Sequence, residues 1–341
     1  MSQQSQTVDV SAVSRALRRA PTLDHDAVAE GTVEPLSDGV NEVFGVRTDG
    51  AELVVKFGTF STAASLRAGV AAARLLGAST DLPVPTVHAA EYDTDGLPPF
   101  VVQERRPGTP LVGGFEDPDA TAPDAVGVLG AVIDATRGLP ADATAGYGFI
   151  EGLADGVEAE DGTRIDPRAV APYDDCGAWL VDYGAGFLDE VADHEALTAV
   201  APRAASYLRA NWSRLPTAPD SAVVLTDLSP GNLLAPGGVT PETAGGLTGV
   251  VDLERAKLGP AALTAVNTEY LLTWDLADPD PVREALYEPL PFGPSVPNRD
   301  CYLLVAAARA AWALPTWYDP GSERFDDRAR ALAATMRAVV D

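Results

Sequence analysis

The stretch Ala222-Val223-Val224-Leu225-Thr226-Asp227-Leu228-Ser229-Pro230-Gly231-Asn232-Leu233-Leu234 decides how this chain is read. Ala222 to Leu225 has the composition of a short buried strand, and its end delivers Asp227 into a turn built from Ser229, Pro230 and Gly231. Asn232 follows, then an apolar pair. Further on, Leu247 to Val251 reads as a second strand that delivers Asp252, with Glu254 close behind. Two carboxylates and a carboxamide thus emerge at strand ends. Such oxygen donors suit magnesium, which takes a few protein ligands and completes its shell with water and substrate phosphates. Any one of them alone would be a polar turn residue; the function rests on the combination.

Phosphoryl transfer needs this set of parts: an aspartate at the attacking hydroxyl, an asparagine and a second aspartate on the metal, and a lysine on the nucleotide phosphates. The lysine is conspicuous by rarity. The chain has 24 basic residues, and Lys56 and Lys257 are its two lysines. Lys56 sits inside Leu53-Val54-Val55-Lys56-Phe57, where Leu53, Val55 and Phe57 share one strand face and Lys56 takes the other. Where arginine serves almost everywhere else, a lysine in an apolar strand marks a place that needs a compact point charge.

Around these residues the 341-residue chain divides into a small strand-rich part and a larger helical part, an α+β arrangement long enough for two lobes. A short helix is expected over 8–19. Strands follow over 33–36 and 42–47, joined across Asp38-Gly39, and a third over 52–57. An alanine-rich helix is expected over 61–77, ended by Gly77, then a strand over 100–104 and a linker at Arg105-Arg106-Pro107-Gly108. Helices are expected over 121–138, 174–196, 199–213, 261–276, 299–314 and 322–339, interrupted only by the island from 221 to 253. Trp179, Trp274, Trp312 and Trp317 fall in or beside helices and read as core.

The motifs together resemble the aminoglycoside phosphotransferase and choline kinase-like family, relatives of protein kinases. Asp227 to Leu234 is similar to that family's catalytic loop, and Val250-Val251-Asp252-Leu253-Glu254 to its metal-binding strand end. Leu36-Ser37-Asp38-Gly39-Val40-Asn41-Glu42-Val43-Phe44 resembles its nucleotide loop, Val54-Val55-Lys56 its phosphate-binding strand, and Val102-Gln103-Glu104-Arg105-Arg106-Pro107-Gly108 its hinge. The resemblance implies a protein-kinase-like bilobal fold, with a nucleotide-binding lobe over 1–103 and a helical lobe over 104–341 that carries the catalytic loop and acceptor site. It implies ATP and Mg2+ as cofactors and transfer of the γ-phosphoryl group to a hydroxyl of a small molecule. Asp227 takes the role of catalytic base, Asn232 and Asp252 those of metal ligands, and Lys56 that of the phosphate contact. Backbone amides of Ser37, Asp38, Gly39 and Asn41 would cover the phosphates, and backbone groups of Gln103, Glu104 and Arg105 would hold the adenine.

Two departures stand out. Leu225-Thr226 replaces the His-Gly usual before the catalytic aspartate, and Gly69 occupies the helix position where a glutamate normally pairs with the lysine. Either another carboxylate takes that place or turnover is weak, in which case the chain is a kinase-like nucleotide-binding regulator (a pseudokinase). The role of Glu254 stays open. A metal-dependent hydrolase using the same carboxylates is disfavoured by the lack of clustered histidines. With 50 acids and a formal net charge of −26, the chain repels nucleic acid and anionic membranes. Dispersed acid with little lysine suits a halophilic protein. The polar first residues lack the basic-then-apolar pattern of a leader, so a cytoplasmic location is expected.

Overall fold

The computed structural model describes residues 8–23, 31–36, 41–48, 50–93, 96–112, 115, 117–154, 157–158, 164–165, 167–216, 221–238 and 244–341. Five strands, β1 (Thr32–Pro35), β2 (Glu42–Arg47), β3 (Glu52–Phe57), β4 (Val87–Glu91) and β5 (Phe100–Glu104), form one antiparallel sheet in the order β1-β2-β3-β5-β4. The alternation read from the sequence sets its two faces. Leu53, Val55 and Phe57 bury against Phe44, Phe100, Val102 and the apolar stripe Val13, Ala16 and Leu17 of helix α1 (Val10–Leu17). Lys56, Val101 and Gln103 face the opposite side, toward helix α2 (Ala63–Ser79) and the rest of the chain.

Helix α2 begins where Thr62 accepts the Ser65 N–H at 3.2 Å. It does not stop at Gly77 as expected from sequence. It runs to Ser79, and Thr80 closes it by donating both its N–H and its hydroxyl to the Leu76 carbonyl. A terminal glycine is a common stop signal but not a sufficient one when the next side chain can cap.

The remainder is mainly helical: α3 (Pro123–Ala135), α4 (Cys176–Glu190), α5 (Ala201–Asn211), α6 (Ala261–Thr273), α7 (Asp280–Tyr287), α8 (Arg299–Trp317) and α9 (Glu323–Val340). Helix α8 packs on α4, α6 and α9, and its alanines (Ala306, Ala307, Ala308, Ala310) are buried. Small residues let backbones approach, as where Val305 lies against Gly184 of α4. Glu269 of α6 is buried and accepts from Arg283 Nε at 2.7 Å, Arg299 Nη2 at 2.5 Å and the Tyr287 hydroxyl at 2.9 Å, a satisfied ionic cluster binding α6, α7 and α8. Cys176 and Cys301 are buried free thiols.

Several features were not anticipated, strand β4 among them. Short strands also occur between 144 and 170, including Gly148–Phe149 and Arg168–Val170, so the helical part is interrupted twice rather than once. Helix α7 starts with Pro281 in its first turn, where a missing N–H costs nothing. Among the described residues no helix is long and apolar enough to cross a membrane.

Candidate active site

Two small sheets hold the loop that carries Asp227. Ala222–Val224 pairs antiparallel with Lys257–Gly259, which pairs in turn with Gly148–Phe149. Leu233–Ala235 pairs with Gly249–Val250 on one side and Thr109–Pro110 on the other. Residues 225–232 are therefore fixed at both ends, and Asn232 and Asp252 are brought side by side. The Val251 N–H donates to the Asn232 carbonyl at 2.9 Å, and Asn232 Nδ2 donates to the Asp227 carbonyl at 2.8 Å. With its amide nitrogen so engaged, the Asn232 side-chain oxygen is left as an acceptor.

Helix α6 supports the same loop from below. Thr264 Oγ1 accepts the Leu225 N–H at 3.2 Å, and Asn267 Nδ2 donates to the Thr226 carbonyl at 2.9 Å. Lys257 Nζ donates to Thr226 Oγ1 at 3.1 Å and to the Arg255 carbonyl at 2.6 Å, beneath the ring of Phe149 at 4.5 Å. Where Leu225-Thr226 replaces His-Gly, the loop is braced by a lysine, an asparagine and a threonine. Burial and then the nearby Arg309 and Arg255 guanidiniums push the Lys257 ammonium well below its ordinary value.

Across the cleft, Lys56 reaches from β3 to the segment after Val250. Its Nζ donates to Asp252 Oδ1 at 2.7 Å and also pairs with Glu254 Oε1. Burial alone would lower the Lys56 pKa, but the charges of Asp252 and Glu254 outweigh it and leave the pKa raised. Glu254 is thus a carboxylate partner of the lysine in the absence of a helix glutamate. The reason Gly69 stands in α2 is visible as well. A Cβ there would lie 3.1 Å from both the N and the Cα of Glu254, a tight contact, so glycine lets the helix seat closely on that backbone.

Glu254 is itself held by the entry of the sheet. Asn41 Nδ2 donates to Ser61 Oγ at 2.8 Å and to Glu254 Oε2 at 3.2 Å, and the Ser61 hydroxyl donates to the same carboxylate oxygen. The Asn41 side chain ties the loop after β3 to Glu254. Asp252 has φ 59°, a left-handed conformation uncommon outside glycine, and Arg255 has φ 60°. Such strain at two polar residues three positions apart is of the kind that clusters at functional sites.

Asp227, Asp252, Glu254 and Asn41 line one cavity of about 200 Å3, closed by Arg309, Trp312 and Trp317 of α8. Lys56 and Gln103 line the adjoining recess beside Asp252 and Glu254. Arg309 Nη2 lies 3.5 Å from Asp227 Oδ1, and Arg309 is 6% exposed. Asp252 lines this cavity and Asn232 is tied to the neighbouring Val251, and each carries the kind of oxygen a hard divalent cation takes. In the hinge segment the Glu104 N–H donates to the Thr86 carbonyl and the Arg105 N–H to the Glu52 carbonyl, each at 2.8 Å. Those two donors are occupied, and the Arg106 N–H is the next along the chain. Ser37, Asp38 and Gly39 lie outside the described residues. Arg309, Trp312, Trp317, Asn267 and Lys257 had no part in the sequence reading of the site.

A family model described as the phosphotransferase enzyme family APH matches residues 32–286, three quarters of the chain. The chain belongs to this family. APH membership accords with the kinase-like arrangement of sheet, cleft and helices. A search of curated proteins found no match. Among solved structures, aminoglycoside phosphotransferase APH(4)-Ia is 18% identical, with 97% of this chain and 98% of that chain covered and a TM-score of 0.63. A thermostable mutant of it, solved as a ternary complex with AMP-PNP and hygromycin B, is 16% identical, with 91% and 93% covered and a TM-score of 0.64. A fructosamine-3-kinase homologue from Haemophilus somnus is 12% identical, with 94% and 99% covered and a TM-score of 0.58. At these identities the likeness is one of fold.

Proposed function

We propose that this protein transfers the γ-phosphoryl group of ATP, bound with Mg2+, to a hydroxyl of a small molecule. The observation that carries the reading is the convergence of Lys56, Asp252 and Asp227, which come from separate segments, on adjoining walls of one cleft. Residues 1–103 would hold the nucleotide and 104–341 the acceptor. In this reading Lys56 would meet the α- and β-phosphates, Asp252 would be a ligand of the metal, and Glu254 would keep the lysine in place. Asn232 would supply its carboxamide oxygen to the same ion. Bound there, Mg2+ would neutralise charge on the β- and γ-phosphates.

Asp227 accepts a hydrogen bond from the acceptor hydroxyl and orients its oxygen for in-line attack on the γ-phosphorus. The oxygen–phosphorus bond forms as the bond to the β-phosphate oxygen breaks, and the proton passes to the Asp227 carboxylate. That side chain is half exposed, so the proton can leave to solvent. Arg309 positions Asp227 from behind. For the adenine, the Glu104 carbonyl and the Arg106 N–H are the hinge groups to expect, because the intervening N–H is already taken. The pseudokinase alternative drew on the missing helix glutamate; the Glu254 contact to Lys56 removes that motive. The acid-rich composition fits work in a salt-rich cytoplasm.

Calorimetric titration of AMP-PNP with Mg2+ into wild type and Asp252→Ala tests the reading. Saturable binding by the wild type, lost in the variant, is the expected result. A wild type that binds no nucleotide at high or low salt would sink it.

A further inference from the structure

In a chain where acids outnumber bases by 50 to 24, an unspecialised surface is acidic. The acceptor side of the cavity is not. Beyond Asp227, Asp252 and Glu254, which belong to the nucleotide and the reacting centre, the charged residues lining it are Arg255 and Arg309. Arg309 is committed to Asp227. Arg255 is different: its guanidinium lies over the Trp312 ring at 4.9 Å and has no carboxylate partner among the described residues.

Arg255 is also held firmly. Its φ is 60°, its N–H donates to the Ser65 carbonyl at 3.3 Å, and its own carbonyl accepts from Lys257. A guanidinium held over an indole can turn its N–H edge to a planar anion and meet it in two parallel hydrogen bonds. Trp312 is itself anchored, donating from Nε1 to Glu190 at 2.6 Å. Beside this fork, Trp317 and Phe60 present large apolar surface to the cavity at 39% and 50% exposure. Burying an aromatic or sugar ring face against them would gain from apolar burial and stacking.

From this geometry we infer that the acceptor is a hydroxylated ring compound bearing a carboxylate, bound by Arg255 and stacked between the Trp317 and Phe60 surfaces, and not a polycation. The inference rests on the phosphotransferase reading above. A polyamine acceptor would place ammonium groups against an unpaired guanidinium, a like-charge contact that the cavity offers no spare acid to offset.

The test is calorimetry on the full chain loaded with AMP-PNP and Mg2+, using three probes. Phenyl β-D-glucuronide and phenyl β-D-glucoside share ring, hydroxyls and aromatic group and differ in the carboxylate; kanamycin is the polycation. The glucuronide is expected to bind about tenfold or more tightly than the glucoside, from a charge-assisted pair. Arg255→Gln should erase that difference and Arg255→Lys should keep part of it. Equal affinities, tighter kanamycin, or no binding of the glucuronide overturns the inference while the nucleotide site stands. So does an Arg255→Gln variant that loses AMP-PNP rather than the glucuronide preference, which would place Arg255 on the phosphates. Failure of AMP-PNP itself to bind is the separate failure of the phosphotransferase reading.

Discussion

The chain's two lysines occupy opposite walls of one site and live under opposite electrostatic regimes. Lys56, on the cleft face of β3, is largely buried yet meets two carboxylates, and its charge is reinforced. Lys257, on the strand under the loop that carries Asp227, is wholly buried among two arginines and two aromatic rings, and burial pushes its pKa well below the ordinary value. What differs is the partner: close opposite charge outweighs burial at Lys56, and without it burial prevails at Lys257. One lysine is held between carboxylates, and the other is hydrogen-bonded beneath Thr226.

The sharpest way to break that contrast is to remove each charge while keeping the shape. Lys56→Met should lower turnover by about 10²–10³-fold, the cost of losing one preorganised group on developing charge. Lys257→Met should cost far less, within about tenfold, in the same steady-state assay; equal losses would mean that Lys257 also acts as a cation. A smaller effect separates position from charge at Lys56. Glu254→Ala leaves Asp252 as the remaining carboxylate contact and should lower kcat by about 10²-fold through misplacement of the lysine. Glu254→Gln, which can keep the Asn41 contact, should recover part of that loss.

The weakest effect is on stability against pH, and its sign follows from the two shifts. Lys257 has a folded pKa below its unfolded value, so the unfolded chain binds the extra proton. Stability should therefore rise with pH between those two values, by up to about 1.4 kcal/mol per pH unit for one proton. Lys56 has a folded pKa above its ordinary value. Its contribution is complete below 10.5 and is lost only as pH climbs through the raised pKa. Chemical denaturation at a series of alkaline pH values should show the rise in wild type and a flatter profile in Lys257→Met. An unchanged slope in the variant would assign it to other groups.

Much of the site was legible because it is local. Asp227, Asn232 and Asp252 sit at the ends of short strands whose composition announces burial, and Lys56 stands out by scarcity in an arginine-rich chain. Glu254 was not legible as a lysine partner, because that role exists only once β3 and the 249–254 segment are brought together across the fold. Arg309, Trp312 and Trp317 were hidden by an alanine-rich helix whose pattern spoke for core. The aromatic residues do continue that helix, but they face the cavity. The strands between 144 and 170 are two or three residues long, too short for any periodicity to register. Helix α7 carried a readable sign, Pro281 in its first turn, that competes with the usual reading of proline as a breaker.

The close seating of Gly69 on the backbone of Glu254 has a consequence for how such a protein changes over generations. A lysine can be partnered from the helix or from the segment after Asp252, and in this chain a Cβ at Gly69 would press on the Glu254 backbone at 3.1 Å. The two solutions therefore compete for the same space. Putting a glutamate into α2 would require the Glu254 backbone to give by a few tenths of an ångström, so the two designs are not freely interchangeable. The same contact closes off a form of control. A helix with no acid of its own to swing toward or away from the lysine cannot act as a toggle by rotating, so readiness at Lys56 is set when the chain folds.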